Sequence, residues 1–190
     1  MYEHIDVNLD NPILKDLRVR QALMYALNRE ELVKAFFENK QQVAHHFMAP
    51  IDPWYTADPK AVTIYQHSRK EAERLLDQAG WVLNKTDGLR YKDGQKLTLQ
   101  LMTTAGNKVR ETTQVFLQKQ WRDVGIEITT KNEAPRVFFG DTVKKRKFSA
   151  LAMYAWSAFP EKIPGQFHSR SIPSEKNNWS GRNSMGWSNS

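Results

Sequence analysis

Apolar side chains recur along the chain at two different periods, and each period predicts one type of element. Apolar and polar residues alternate from Tyr2 to Leu9, which predicts a half-buried strand. Asp16 and Asn28 then precede two stretches in which apolar residues have helical spacing, so we expect two helices that these side chains cap. A third helix is predicted between the capping residue Ser68 and Gly80, which provides a left-handed stop.

Strands and helices alternate in the second half of the chain. The predicted elements are a strand over Leu97–Thr103, a helix over Asn107–Val124, a strand over Ile126–Asn132, a short helix over Ala134–Arg146 and a strand over Phe148–Trp156. Because the connections between them are short, right-handed crossovers are favoured. The fold class is therefore α/β, with a parallel sheet of at least three strands flanked by helices. Just upstream, two Asp-Gly pairs predict a small hairpin around residues 89–91.

Ligands of such sheets bind beyond the carboxyl ends of the strands, where the loops leave the sheet. This rule points to the loops at residues 103–107 and 132–135, and above all to the loop at residues 155–160. Trp156 and Phe159 belong to this last loop, and a large ring there offers apolar surface to a ligand. Filling of the core is the alternative role for either ring.

The composition changes after Pro160. Ser, Asn, Gly, Lys and Pro dominate the rest of the chain, yet Trp179 and Trp187 lie among them, which is unusual for a disordered tail. We interpret this part as a loop that packs. The predicted organisation is an α/β domain at residues 1–159 and an irregular segment at residues 160–190.

Composition and charge exclude several classes of protein. The 190 residues fit one ordinary domain, and 40% hydrophobic and 11% aromatic residues argue against disorder. No apolar stretch approaches the length of a membrane span, and the N-terminal residues lack the pattern of a signal peptide. The absence of cysteine excludes disulfides and thiolate metal sites. The formal net charge is +7, and most of it comes from residues 144–190, which hold eight basic residues against two acidic ones.

Motifs of known chemistry are absent. The sequence has no phosphate-binding glycine loop, no nucleophile elbow and no zinc-protease motif, so we predict neither an enzyme nor a cofactor. His45 and His46 are the only neighbouring histidines and lack further ligands, so no metal site is predicted. The basic run at residues 144–147 admits a basic scaffold or nucleic-acid-binding module as an alternative function, but its position at a predicted helix end favours a solvated cap.

Five motifs in order carry a resemblance to a known family. Leu17–Glu30 resembles the "RVRQAL-x-YAIDRE" helix of the family 5 bacterial extracellular solute-binding proteins, the dipeptide and oligopeptide receptors of ABC importers. Glu71–Trp81 is similar to their "A-x-x-LL-x-x-AGW" helix. The remaining matches are Tyr91–Leu99 with "DG-x-x-L-x-L", Trp121–Ile126 with "L-x-x-VGI", and Asn183–Asn189 with "N-x-x-GY-x-N". Together they span nearly the whole chain.

The resemblance implies one lobe of a two-lobed receptor with the type II periplasmic-binding-protein fold. Residues 1–159 would form the ligand-binding lobe, and residues 160–190 would lead toward a second lobe. The implied ligand is a small peptide or a related solute, and the implied partner is an ABC permease of the inner membrane. The implied protein is a monomer in the periplasm, or held outside the cytoplasm by a lipid anchor, with no affinity for nucleic acid.

The resemblance also implies particular site residues. In the family, the loop after the last strand carries a Trp and, shortly after it, an Asp that pairs with the free amine of the peptide. Trp156 matches the Trp, whereas Phe159 stands in place of the Asp and Glu161 is its candidate substitute. The predicted ligand-binding residues are therefore Trp156, Ser157, Ala158, Phe159 and Glu161.

Overall fold

The computed structural model describes residues 2–38, 40–156, 165 and 167–188. The strands are β1 (Tyr2–Val7), β2 (Val82–Asn84), β3 (Leu89–Lys92), β4 (Gln95–Lys96), β5 (Thr98–Thr104), β6 (Glu127–Glu133) and β7 (Leu151–Trp156). The helices are α1 (Leu17–Tyr25), α2 (Arg29–Phe37), α3 (Arg69–Gln78), α4 (Lys108–Arg122) and α5 (Pro135–Val137), followed by a π-helical turn at Phe138–Val143. Two short 3₁₀ turns lie at Ser169–Ser171 and Glu175–Asn177.

The main sheet has the strand order β1-β7-β5-β6. β5 and β7 are parallel, with Leu101 opposite Leu151. The backbone hydrogen bonds that join β5 to β6 progress in the same direction along both strands, so this pair is parallel as well. The predicted α/β class and its three parallel strands are confirmed. The structure adds that β1 pairs antiparallel with β7, because an alternating pattern identifies a strand but not its partner.

The predicted helix starts are confirmed by their caps. The side chains of Asp16, Asn28 and Ser68 each accept a hydrogen bond from a backbone N–H in the first turn of α1, α2 and α3. Gly80 follows α3 with a φ of 86°, as a left-handed stop requires. These local signals act within one turn of helix, which is why the sequence alone reveals them.

Two elements differ from their predictions. The short helix predicted over Ala134–Arg146 is one α-helical turn that widens into the π-helical turn, and this turn buries Phe138 and Val143. The predicted strand over Phe148–Trp156 begins only at Leu151. Phe148 is fully buried nonetheless, since it packs in the core beside β7 without pairing in the sheet.

The chain divides into two compact units. The first comprises Met1–Lys15, Leu99–Glu111 and Thr130–Ser190, and the second comprises Asp16–Thr98 and Thr112–Thr129. The predicted boundary between residues 159 and 160 lies outside the described residues and stays a prediction. No helix within the described ranges combines the length and the apolar character that a membrane span requires.

The second unit contains the helices α1 to α3 and the small sheet β2-β3-β4. The predicted hairpin is present as β3 and β4, and β2 extends it by one more strand. α1 packs on α3, and the indole of Trp121 donates to the carbonyl oxygen of Leu23 at 3.0 Å inside this core.

The core of the first unit lies against β7. Its buried members are Met102, Phe138, Val143, Phe148, Ala152 and Tyr154, and Trp156 packs at its edge. This core is continuous with a pocket at the carboxyl end of β7.

Candidate functional site

An open pocket of about 450 Å³ lies at the carboxyl end of β7, within the first unit. Its volume is in the range of sites that hold small ligands. Aromatic and basic side chains dominate the lining, namely Phe139, Tyr154, Trp156, Trp179, Lys144 and Arg182. The π-helical turn provides Phe139 and Lys144 follows directly after it, β7 provides Tyr154 and Trp156, and residues 179–184 close the opposite side.

Trp156 is half-buried and is held by its neighbours. Its ring centroid lies 5.8 Å from that of Tyr154 in an edge-to-face arrangement. The guanidinium carbon of Arg182 lies 5.7 Å from the centroid of the Trp156 ring, which is a cation–π distance. The imidazole of His4 is nearly parallel to the indole at 6.4 Å. The indole therefore presents a fixed surface to the pocket rather than a freely rotating one.

A buried polar network supports Tyr154 from behind. The Tyr154 hydroxyl donates to Oδ2 of Asp6 at 2.5 Å, and the Ser184 hydroxyl donates to the same oxygen. Nε2 of His4 lies 3.4 Å from Oδ1 of Asp6, but neither ring nitrogen of His4 has a hydrogen bond of good geometry among the described residues. The network uses the polar atoms of Tyr154 and Ser184 internally, so these atoms fix the pocket wall.

The ionisation of this network follows from its surroundings. Burial by itself raises the pKa of Asp6, but the nearby His4 and the hydrogen bonds from Ser184 and Tyr154 outweigh burial, and the pKa is lower than that of an ordinary Asp. Burial, followed by the charge of Asp6, raises the pKa of Tyr154. At neutral pH the network therefore contains an ionised Asp6 and a neutral tyrosine.

The opposite side of the pocket has an unusual backbone. Asn178 and Trp179 both have left-handed conformations, with φ of 52° and 56°, which is uncommon outside glycine. Gly181 has a φ of 129°, and a Cβ atom there would collide with the backbone carbonyl of Ser171. Strain of this kind persists only where the surrounding structure enforces it.

Asn183 holds the segment that follows this backbone. Its side chain is buried, and its amide nitrogen donates to the carbonyl oxygen of Trp187 at 2.8 Å. Its amide oxygen accepts from the backbone N–H groups of Gly186 and Trp187. The first residue of the "N-x-x-GY-x-N"-like motif therefore fastens the segment that bears Arg182 and Ser184.

The basic run at residues 144–147 is dispersed in the structure. Lys145 and Lys147 both pair with Asp141, at 2.9 and 2.6 Å. Arg146 turns inward, where it donates to the carbonyl oxygen of Ser184 and pairs with Asp10 at 2.7 Å. Lys144 is the member of the run that lines the pocket.

One of the five predicted ligand-binding residues can be located. Trp156 lines the pocket, whereas Ser157, Ala158, Phe159 and Glu161 lie outside the described residues. Their predicted roles stay predictions.

Sequence reasoning missed several lining residues. The sequence marks Trp179 only as a ring that packs, and Lys144 only as part of a charge run. No local pattern marks Arg182 or Phe139, because their approach to Trp156 and Tyr154 depends on distant segments of the chain.

His46, one of the two neighbouring histidines, makes its contacts within a loop. The His46 ring stacks on Tyr55 at 4.8 Å, and its Nε2 lies 3.0 Å from the carbonyl oxygen of Thr56. Over the described part of the chain, no three His, Cys, Asp or Glu side chains gather as a metal site would require.

Comparisons with known proteins agree with the fold. Residues 1–178 match the family model described as "Bacterial extracellular solute-binding proteins, family 5 Middle". The chain is 37% identical over 132 residues to the oligopeptide-binding protein AppA of Bacillus subtilis, an alignment that covers 68% of this chain and 24% of AppA.

Solved structures are similar over almost the whole chain. The oligopeptide-binding protein of Thermus thermophilus, complexed with a pentapeptide, has a TM-score of 0.88 and 32% identity, covering 99% of this chain and 34% of that one. Bacillus subtilis AppA in complex with a nonapeptide has a TM-score of 0.86 and 31% identity, covering 100% of this chain and 36% of that one.

The chain thus spans about a quarter to a third of the length of these relatives. The match to the family model extends over most of its residues, and the fold of the solved relatives is the fold described above. The chain therefore belongs to the bacterial extracellular solute-binding proteins of family 5.

Proposed function

We propose that the chain is one ligand-binding lobe of the substrate-binding component of an ABC importer, and that its ligand is a peptide or a related solute held between two lobes. The observation that carries this proposal is the aromatic pocket at the carboxyl end of β7, with Trp156 on its wall. Two similar solved structures, a pentapeptide complex and a nonapeptide complex, favour a peptide as the ligand.

The pocket suits capture of an extended chain. The exposed part of the Trp156 ring provides apolar contact that does not depend on one particular peptide side chain. Backbone groups of residues 155–158 would bond the main chain of the peptide, which is how a receptor tolerates many sequences. Phe159 would add a second ring, and Glu161 would pair with the amine of the peptide in place of the Asp of the family.

Binding rather than catalysis is also favoured by the polar groups near the pocket. A hydroxyl acts as a nucleophile when a neighbouring base takes its proton. Asp6, which accepts from the buried hydroxyls of Ser184 and Tyr154, has a pKa below that of an ordinary Asp, so it is a weak base for taking a proton from either. Their arrangement supports a fixed wall, and we propose no enzymatic activity.

The remaining features of the proposal follow from the family. The full-length protein would work outside the cytoplasm, in the periplasm or on a lipid anchor, as a monomer. It would deliver the ligand to an ABC permease of the inner membrane by closing and opening its lobes. Dispersal of the basic run into ion pairs argues against the alternative of a nucleic-acid-binding module.

The proposal is tested by replacing Trp156→Ala in the full-length protein and titrating it calorimetrically with a mixture of pentapeptides. We expect about tenfold weaker binding, since a buried Trp at an interface commonly contributes that much. Trp54→Ala is the matched control, because Trp54 is 73% exposed and lies in the second unit. Failure of the parent protein to bind any peptide would contradict the proposed function, and equal affinities of parent and Trp156→Ala would remove Trp156 from the site.

A further inference from the structure

Among the described residues, every charged side chain that lines the pocket is basic. Lys144 and Arg182 line it, and the described lining contains no Asp or Glu. Asp6 lies behind the wall, where Tyr154 and Ser184 bond one of its oxygens and His4 lies beside the other. The Asp6 carboxylate is therefore already engaged.

The two basic side chains are not engaged in the same way. Both are exposed, and neither forms an ion pair with a carboxylate of the described residues. Lys145 and Lys147, close to Lys144 in sequence, both pair with Asp141. The same short segment thus neutralises two of its cations and leaves Lys144 available at the pocket.

Arg182 has a geometry that suits an anion. Its guanidinium lies over the ring of Trp156 at 5.7 Å, an arrangement that uses the face of the group. The N–H edges of a guanidinium bind a carboxylate through two parallel hydrogen bonds. The backbone beside Arg182 is held by the N–H of Asn183, which donates to the carbonyl oxygen of Ser171 at 2.9 Å, so little ordering of the main chain is needed when a ligand binds.

We propose that Lys144 and Arg182 make this pocket a subsite for the carboxylate of a peptide side chain, so that the protein prefers peptides with an acidic side chain at this position. Phe139, Trp156 and Trp179 surround the apolar part of the same residue. The proposal rests on the proposed function, because it assumes that the ligand is a peptide.

The experiment compares four pentapeptides by calorimetry on the full-length protein. Two alanine-based peptides carry Glu or Gln at one internal position, and each is prepared with a free or an amidated C-terminus. We expect each Glu peptide to bind at least about tenfold more tightly than the Gln peptide with the same C-terminus. An effect of the acid against amide comparison alone would show that only the C-terminus is recognised, and would overturn the side-chain subsite.

Variants assign the preference to the two side chains. Arg182→Gln and Lys144→Gln should each lower the ratio of acidic to neutral affinity, and the double variant should bring it close to one. Arg182→Lys should recover only part of the preference, because an ammonium group lacks the two-pronged geometry. Arg170→Gln is the matched control, since Arg170 is exposed in the same unit but does not line the pocket, and it should leave the ratio unchanged.

The outcomes separate this proposal from the one on which it rests. Peptides that bind with equal affinity whatever their charge would overturn the carboxylate subsite and leave peptide capture standing. A preference that survives in the double variant would also overturn it, because the carboxylate would then bind elsewhere. Absence of binding by all four peptides and by the pentapeptide mixture would overturn both proposals.

Discussion

At the scale of single residues, Asp6 is the group on which the wall of the pocket depends. It is buried, and one of its oxygens accepts from both Tyr154 and Ser184. A buried carboxylate is costly unless it is bonded, and these bonds are charge-assisted. The same contacts lower the pKa of Asp6 despite its burial, so ionised Asp6 stabilises the folded state.

We expect Asp6→Asn to lower the free energy of unfolding at neutral pH by about 2 kcal/mol, because two hydrogen bonds lose their charged acceptor. Urea denaturation checks this value. Asp123→Asn is the control, since its pair with Lys119 is on the surface and should contribute less than about 0.5 kcal/mol.

The difference in stability between the parent protein and Asp6→Asn depends on pH, and the direction of the Asp6 pKa shift determines how. The pKa of Asp6 in the folded state lies below the ordinary value of 3.8, so its ionisation stabilises the protein above that pH. The contribution is lost as the pH falls from 3.8 through the folded-state pKa. The unfolding curves of the parent and Asp6→Asn should therefore converge in acid, and a difference that stayed constant down to that range would contradict the assignment.

At the scale of elements, a buried arginine joins several segments of the second unit. Arg90 on β3 is 2% exposed and donates to the carbonyl oxygens of Trp81 and Val124 at 2.6 and 2.8 Å. It also pairs with Asp77 at the end of α3. Gly125 lies against its side chain with a φ of 88°, so the end of α4 requires a residue without a Cβ atom.

We expect Gly125→Ala to lower the free energy of unfolding by more than about 2 kcal/mol, because a left-handed alanine is strained and its Cβ would lie 2.7 Å from Cγ of Arg90. Gly88→Ala is the matched control. Gly88 has a φ of 68°, but no atom lies within 4 Å of the added Cβ. We therefore expect Gly88→Ala to lower the free energy of unfolding by about 1 kcal/mol, from backbone strain without a steric clash. Thermal unfolding of both variants measures the difference, and equal losses would contradict the role given to Arg90.

The elements also show where prediction from sequence succeeds. The caps Asp16, Asn28 and Ser68 act on the turn that directly follows them, so their helices begin where the sequence places them. The π-helical turn and the late start of β7 depend instead on burying Phe138 and Phe148 against a core from distant segments. A local sequence pattern does not show which distant segments these two side chains will pack against.

At the scale of the whole molecule, the distribution of charge matters more than its total. The formal charge is +7, but much of the basic run is neutralised by Asp10 and Asp141. A binding surface for a polyanion needs several free cations in one patch. The proposed carboxylate subsite needs only two cations, the Lys144 and Arg182 side chains that line the pocket.

We therefore expect the full-length protein to bind a random-sequence oligonucleotide with a dissociation constant weaker than about 10⁻⁴ M at about 0.15 M salt, because few phosphates would be contacted. Fluorescence anisotropy at several salt concentrations measures the affinity, and a peptide titration of the same preparation is the control for folded protein. Tight binding that weakens steeply with salt would restore the alternative of a nucleic-acid-binding module.

The sequence by itself determined the α/β class, the helix starts and the family, because periodicity, caps and motifs are properties of short segments. The tertiary structure alone decided the antiparallel pairing of β1 with β7 and which side chains line the pocket. Arg182 lies over Trp156, which is 26 positions away in the sequence. Asp6 accepts a hydrogen bond from Tyr154, which is 148 positions away. Such contacts arise from how the chain packs in three dimensions, and no local pattern of side chains encodes them.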